Sequence, residues 1–204
     1  MDWNARFEGQ DYAYGTAPAD FVAARMAGLD ARARVLTIAE GEGRNAVWLA
    51  RQGYRVTAVE PTDNGRLKAL ALAAQHGVAL DWQARDLQDY DWPEGTFDAA
   101  LGCFFQFAAP DFRNQILAGL GRALRAGGML FLHGFSTRQL ANASGGPRAE
   151  EQLWTVERIL SEFPGWPVLR ASDYDATLAE GPGHAGRAAL VDVIVRKPEQ
   201  GSRR

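Results

Sequence analysis

The chain has 204 residues, 47% hydrophobic and 23% charged, the composition of an ordinary globular domain long enough to bury its own core. Its 22 Lys and Arg against 25 Asp and Glu give a net charge of −3, so the strongly basic footprint of a nucleic-acid-binding domain is absent. One cysteine, Cys103, excludes an internal disulfide and a multi-cysteine zinc site, and no metal is expected.

The opening Met1-Asp2-Trp3-Asn4-Ala5-Arg6 lacks the basic-then-apolar order of a secretory signal. No apolar run approaches the ~20 residues of a membrane-spanning helix. The expectation is a soluble cytoplasmic protein. Asp11-Tyr12-Ala13-Tyr14-Gly15-Thr16 reads as an aromatic loop, and residues 18–29 as a short amphipathic helix. Residues 34–39 are a short apolar run ending at glycines, which predicts a buried strand. A helix over 44–52 follows, with Ala46, Val47, Leu49 and Ala50 at helical spacing. Residues 55–60 are a second strand. Asp63 is placed to cap a helix running through Leu67, Leu70, Ala71 and Ala74 to about His76, where Gly77 ends it.

Residues 78–84 predict a third strand and 97–104 a fourth. Pro110 or Asp111 opens a helix through Ile116, Leu117, Leu120 and Leu124, stopped by Gly127-Gly128, and 129–135 form a fifth strand. Residues 136–150 are a long polar loop containing Gly145-Gly146-Pro147, and 153–163 a helix. Residues 168–174 and 188–196 predict two strands. The link between them is too short for a helical crossover, so they pair antiparallel. The alternation argues an α/β fold: a Rossmann-like, seven-stranded, mostly parallel sheet with an antiparallel last strand and helices on both faces. The expected organisation is one domain over 1–197, with 1–33 as an N-terminal lid and helix and 198–204 as a flexible tail.

The strongest local signal is Ala39-Glu40-Gly41-Glu42-Gly43-Arg44-Asn45-Ala46, between a predicted strand and a predicted helix. Gly41 and Gly43 allow tight turns and let a ligand approach the main chain. Glu60 ends the next strand, where an acid accepts from both hydroxyls of a ribose. The spacing also satisfies the Ala-tolerant dinucleotide fingerprint, so a nicotinamide and an adenosyl cofactor both remain open. Asp86, after the third strand, is placed to accept from an adenine amine, and an antiparallel last strand disfavours the dinucleotide order.

With these residues in view the chain resembles class I S-adenosylmethionine-dependent methyltransferases, closest to the small bacterial tellurite-resistance and thiopurine methyltransferase-like branch. Four passages carry the resemblance: Trp3 to Phe7 with Tyr12 to Pro18; the glycine motif; Asp98 through Gly128; and Gly145-Gly146-Pro147 together with Glu180-Gly181-Pro182-Gly183-His184-Ala185-Gly186-Arg187. It implies S-adenosylmethionine as cofactor. Gly41 and Gly43 would then face its methionine part, Glu60 its ribose, and Asp86 and Leu87 its adenine. Phe104 would sit near it, with Trp3, Arg6 and Tyr14 in a lid. The chain departs from the family pattern at Thr37, where an acid is usual, at Ala39, where glycine is usual, and at Gln106, where histidine is common.

Displacement at a sulfonium needs alignment more than acid–base help, and a base only when the acceptor is hard to deprotonate. The candidate proton-handling residues are His184 and Glu180 in the glycine-rich link and His133 near the end of the fifth strand. Arg138, Glu180, His184 and Arg187 are candidates for acceptor binding, with Glu180 and Arg187 a possible pair. The implied partner is a small-molecule acceptor, a thiol or chalcogen oxyanion by resemblance, rather than a nucleic acid or a membrane. A nicotinamide-dependent oxidoreductase and a cofactor-binding regulator without transfer activity are the alternatives.

Overall fold

Seven strands order as β3-β2-β1-β4-β5-β7-β6 in a computed structural model that describes residues 1–199. The elements in chain order are α1 (Trp3–Arg6), α2 (Asp20–Met26), β1 (Arg34–Ile38), α3 (Arg44–Arg51), β2 (Arg55–Val59), α4 (Asp63–Gln75) and β3 (Asp81–Gln83). There follow β4 (Phe97–Cys103), α5 (Pro110–Ala123), β5 (Leu124–Phe135), α6 (Val156–Leu160), β6 (Val168–Ala179) and β7 (Ala185–Arg196). Residues 200–204 of the expected tail lie outside the described residues.

The chain divides into two compact units. The first comprises Met1–Tyr90 with Leu178–Gly186, the second Asp91–Thr177 with the chain from Arg187 onward. In the first, β1 pairs parallel with β2 (Val35 beside Val56) and β2 with β3. Val35, Leu36, Ile38, Leu49, Val59 and Leu72 are buried in its core, each worth ~1.5–3 kcal/mol of transfer free energy. In the second, β4 pairs parallel with β5 (Leu101 beside Phe131), and β5 pairs antiparallel with β7 (Leu132 beside Val193). Its core holds Leu101, Phe105, Ile116, Leu120, Phe135 and Trp154.

Several boundaries differ from expectation; β6 and β7 are longer, running over Val168–Ala179 and Ala185–Arg196, and others are set by local or distant bonds. The N-cap of α4 is Thr62, and Asp63 sits in the first turn. The Val78 N–H donates to the Ala73 carbonyl at 3.0 Å, so residues 78–80 close α4 and β3 is only three residues long. Helix α5 ends at Ala123, before Gly127-Gly128, which lie inside β5. The N–H groups of Gly95 and Thr96 take the carbonyls of Arg122 and Ala123, and Lys197 Nζ takes those of Gly121 and Leu124, so the helix end is satisfied from afar. The helix expected over 153–163 is the short α6, capped by the Thr155 hydroxyl on the Arg158 N–H.

Candidate functional site

The turn from β1 into α3 is made of buried charge. Gly41 and Gly43 take φ +57° and +84°. A Cβ on Gly41 would meet the Phe7 ring at 2.9 Å, and one on Gly43 would collide with Ala69, so packing and backbone both require glycine. Glu60, buried just past β2, accepts from the Gly41 N–H through Oε2 at 3.0 Å and from the Thr62 N–H through Oε1 at 3.1 Å. Sequence-predicted loop and acid are thus brought together. A carboxylate has about four acceptor positions, so two of those on Glu60 are available to a ligand.

Glu40 folds back under the same turn. Its Oε2 accepts the Ala46 N–H at 2.9 Å, which caps α3 where Gly43 has no side chain to do so. The Thr37 hydroxyl bonds the same carboxyl. Burial raises the Glu40 pKa to about 7, against the Ala46 N–H, the Thr37 hydroxyl and Arg44, and with the help of Glu60. Ala39 adopts φ +50°, a left-handed conformation that suits the glycine usual at this position.

Glu42 and Arg44 reach into the N-terminal segment. Glu42 Oε2 accepts from the Ala13 N–H at 2.8 Å and the Tyr14 N–H at 3.4 Å, and its Oε1 pairs with Lys68 Nζ at 2.7 Å. Lys68 Nζ also donates to the Asp11 carbonyl at 2.6 Å, and the Tyr12 hydroxyl donates to the Lys68 carbonyl at 3.0 Å. Arg44 donates to the Tyr14 carbonyl at 3.0 Å and to Glu180 Oε2 at 2.8 Å. Glu180 also accepts from the Asp20 N–H at 3.2 Å, and His184 Nδ1 lies 3.7 Å from its Oε2. The Tyr14 ring packs on His184 at 4.5 Å, and the Gly183 N–H donates to the Ala13 carbonyl at 2.8 Å. Two segments that carry the family resemblance, far apart in the chain, therefore form one layer. None of Glu42, Arg44 or Lys68 was a sequence candidate. The available signal was three charges in segments that have to be buried, since such charges are paired.

This network revises two roles. Burial alone would raise the Glu180 pKa, but His184, Arg44 and the Asp20 N–H outweigh it and hold it at about 2, so Glu180 is a fixed anion and no proton acceptor near neutrality. The possible Glu180–Arg187 pair is not formed. Glu180 takes Arg44, and Arg187, largely exposed, takes Asp175 at 3.0 Å. Asp86 is exposed and accepts the Gln88 N–H through Oδ1 at 2.9 Å, while Leu87 is buried. Trp3 is half-buried 5.9 Å from Phe7, and the Arg6 guanidinium lies 5.9 Å over the Tyr14 ring. Trp82 Nε1 and the Thr62 hydroxyl are buried with no hydrogen-bond partner among the described residues.

In the second unit, Phe104 follows β4 with φ +55°, and its N–H donates to the His133 carbonyl at 2.8 Å. Its ring meets the edge of His133 at 4.7 Å and Phe135 at 4.8 Å. His133 Nδ1 lies 2.8 Å from Asp192 Oδ1, both side chains being 2% exposed. Asp192 also accepts from the Tyr174 hydroxyl at 3.1 Å and Arg170 Nε at 2.8 Å. Burial opposes ionisation of Asp192, but His133 and Arg170 hold its pKa below the ordinary range. Gln106 clamps Phe135, accepting its N–H and donating to its carbonyl at 2.7 Å, so it is committed to the backbone. Arg138 is half-exposed and committed to Asp173 and Asp175, which already supply the anions that an acceptor was expected to offer. Cys103 is buried.

Among the described residues no cluster of three or more His, Cys, Asp or Glu is arranged to hold a metal, and no helix is long and apolar enough to cross a membrane. The sheet order, the antiparallel β7 and the glycine loop bonded to an acid after β2 make a Rossmann-like α/β sheet. Residues 35–128 match the methyltransferase domain family, from β1 into β5.

Two uncharacterized proteins of Mycobacterium tuberculosis are related to it. One is 35% identical over 98 residues, 48% of this chain and 35% of its own length. The other is 30% identical over 131 residues, 61% of this chain and 47% of its own length. The chain thus spans between a third and a half of the curated relatives it matches.

Solved structures share the fold. One concerns the conversion of a disulfide bond into a thioacetal group during echinomycin biosynthesis (TM-score 0.74, 20% identity, 95% of this chain and 87% of that one). Another is TehB from Haemophilus influenzae (0.73, 17%, 90% and 63%). A third is 1,6-didemethyltoxoflavin-N1-methyltransferase of Burkholderia thailandensis, with S-adenosylhomocysteine bound (0.64, 22%, 88% and 77%).

Proposed function

We propose that the chain is an S-adenosylmethionine-dependent methyltransferase acting on a small-molecule acceptor. The observation that carries this reading is the bond from the Gly41 N–H to Glu60, which ties the glycine loop to an acid with acceptor positions to spare. The residues fit an adenosyl group. Glu60 accepts from its ribose hydroxyls, and the unmatched Thr62 hydroxyl and Trp82 N–H stand ready in the same unit. Gly41 and Gly43 hold the tight turn that would carry its methionine part, Leu87 gives an apolar contact, and Asp86 keeps one oxygen for an amine. Tyr14 and Trp3 belong to the N-terminal cover. Bound there, the cofactor supplies a methyl group already activated by a sulfonium. The resemblance to the tellurite-resistance and thiopurine branch points to a soft acceptor, a thiol or a chalcogen oxyanion.

Thermal unfolding with S-adenosylmethionine, S-adenosylhomocysteine, NAD and NADP in separate samples tests the cofactor. A ligand at 100 times its Kd adds ~2.7 kcal/mol, a rise of roughly 5–10 °C for a chain of this length. A rise with the two adenosyl ligands alone is expected, and it should be lost in Glu60→Ala. A rise with NAD or NADP alone would make the chain a nicotinamide-dependent protein.

A further inference from the structure

The N-terminal segment of the first unit is held in two different ways. Residues 11–14 are clamped by buried charge: the Ala13 N–H bonds Glu42, the Asp11 carbonyl bonds Lys68 and the Tyr14 carbonyl bonds Arg44. Residues 1–8 have no such tie. No residue of α1 is buried, and among the described residues its hydrogen bonds to other elements are two exposed ones, both with Asn64 of α4. Phe7, packed on Gly41, is the one buried residue of these eight. Between the two parts stands Gly9, at φ +84° with nothing within 4 Å of where its Cβ would be, a position free to turn.

The contact with α4 is unusual at the helix end. An N-cap residue ordinarily turns its side-chain oxygen onto the N–H two or three positions on. Thr62 is the N-cap of α4, and its hydroxyl makes no such bond. The N–H two positions on, that of Asn64, goes to Asn4 Oδ1 at 3.0 Å, and Asn64 Nδ2 donates to the Asn4 carbonyl at 2.8 Å. The Thr62 hydroxyl is left buried without a partner, although it already lies over the first turn, 2.5 Å from where a Cβ on Gly65 would be. Two side chains can therefore cap one donor, Thr62 from within the helix and Asn4 from outside it. Lifting α1 costs α4 no hydrogen bond, because Thr62 replaces Asn4 and a buried, unmatched hydroxyl gains a partner.

We propose that residues 1–8 are a flap that hinges at Gly9 on the fixed segment 11–14, and that Thr62 takes over from Asn4 as the cap of α4 when the flap lifts. Opening carries the Phe7 ring off Gly41, so the flap controls entry to the glycine loop. That use rests on the methyltransferase reading, whereas the exchange of caps does not. Asn4 holds the flap shut, and Thr62 lowers the cost of opening it.

Amide exchange followed by NMR on the full chain, without ligand, tests the exchange of caps. The Arg6 and Phe7 amides bond the Asp2 and Trp3 carbonyls and report on the flap. In Asn4→Ala they should exchange faster by up to ~5-fold, the worth of a typical cap. In the same variant the Asn64 amide should stay protected, now by Thr62, and the Ala13 amide should stay protected by Glu42. Combining Asn4→Ala with Thr62→Val should strip the Asn64 amide of its protection. Thr62→Val alone removes an unmatched hydroxyl and should not lower Tm. Loss of Asn64 protection in Asn4→Ala alone, a lower Tm in Thr62→Val, or Ala13 exchanging in step with Phe7 would overturn the proposal. Entry is read by stopped-flow binding of S-adenosylhomocysteine, whose association rate should rise by up to ~5-fold in Asn4→Ala. An unchanged rate would show that the flap is not the entrance. A chain that binds no S-adenosylhomocysteine would instead remove the methyltransferase reading, and the amide pattern is independent of it.

Discussion

Glu40 is a buried acid that serves the fold best when protonated. The folded value of about 7 stands above an ordinary 4.5, because burial outweighs the three groups that favour its charge. The folded chain therefore keeps a proton that the unfolded chain releases between those values. Stability from this group is full below the unfolded value and is lost as pH rises through about 7. The loss amounts to roughly 3 kcal/mol. Glu40→Gln retains an oxygen for the Ala46 N–H and removes the charge. Urea unfolding at about pH 5 and about pH 8.5 should show wild type losing stability between the two and the variant losing much less of it. A variant as pH-sensitive as wild type would clear Glu40 of the effect.

At the scale of elements, α4 is docked on the glycine loop through Gly65. Alanine is the better helix former by ~1 kcal/mol. A Cβ at this position, however, would lie 2.5 Å from the Thr62 hydroxyl and closer still to the Gly41 carbonyl, a backbone atom of the loop itself. Overpacking of this kind costs ~1–3 kcal/mol, so the clash wins. Gly65→Ala should lower Tm and weaken S-adenosylhomocysteine binding together, while Ala39→Gly, which relieves a φ of +50°, should raise Tm. An unchanged Tm in Gly65→Ala would mean that α4 is free to slide.

The strands and most helices were legible because apolar runs and their glycine or proline punctuation are local. The end of α5 was not, since Lys197 and Thr96 finish it from other parts of the chain. The same division holds in the site. The glycine loop and Glu60 share one strand–helix–strand unit and could be read. Glu42 and Arg44 could not, because their partners lie in residues 11–14 and at Glu180. Asp192 left one trace, a lone acid between Val191 and Val193, as His133 did between Leu132 and Gly134.

For the molecule as a whole, pH dependence is the sum of groups with opposite signs. Glu180 is 136 residues from Arg44 and 160 from Asp20 in the chain, so its bonds exist only once residues 178–186 have returned to the first unit. Its folded value of about 2 lies below the ordinary 4.5, because His184, Arg44 and the Asp20 N–H overcome burial. Its contribution is present above the unfolded value and is lost as pH falls through about 2. Asp192, also lowered, acts in the same direction. Glu40 erodes stability on the alkaline side and these two erode it on the acid side, so urea midpoints plotted against pH should peak in the mildly acid range. Glu180→Gln keeps an acceptor for Arg44 but removes the opposing charge, so it should flatten the acid limb by lowering stability at neutral pH. Glu180→Ala leaves Arg44 buried without its counter-ion and should cost ~3–5 kcal/mol at every pH where the wild-type pair is charged. The double variant Arg44→Met with Glu180→Leu should recover most of that loss, since an apolar pair carries no desolvated charge. A double variant no more stable than Glu180→Ala would show that the return of residues 178–186 depends on the ion pair itself rather than on the packing of Tyr14 against the link.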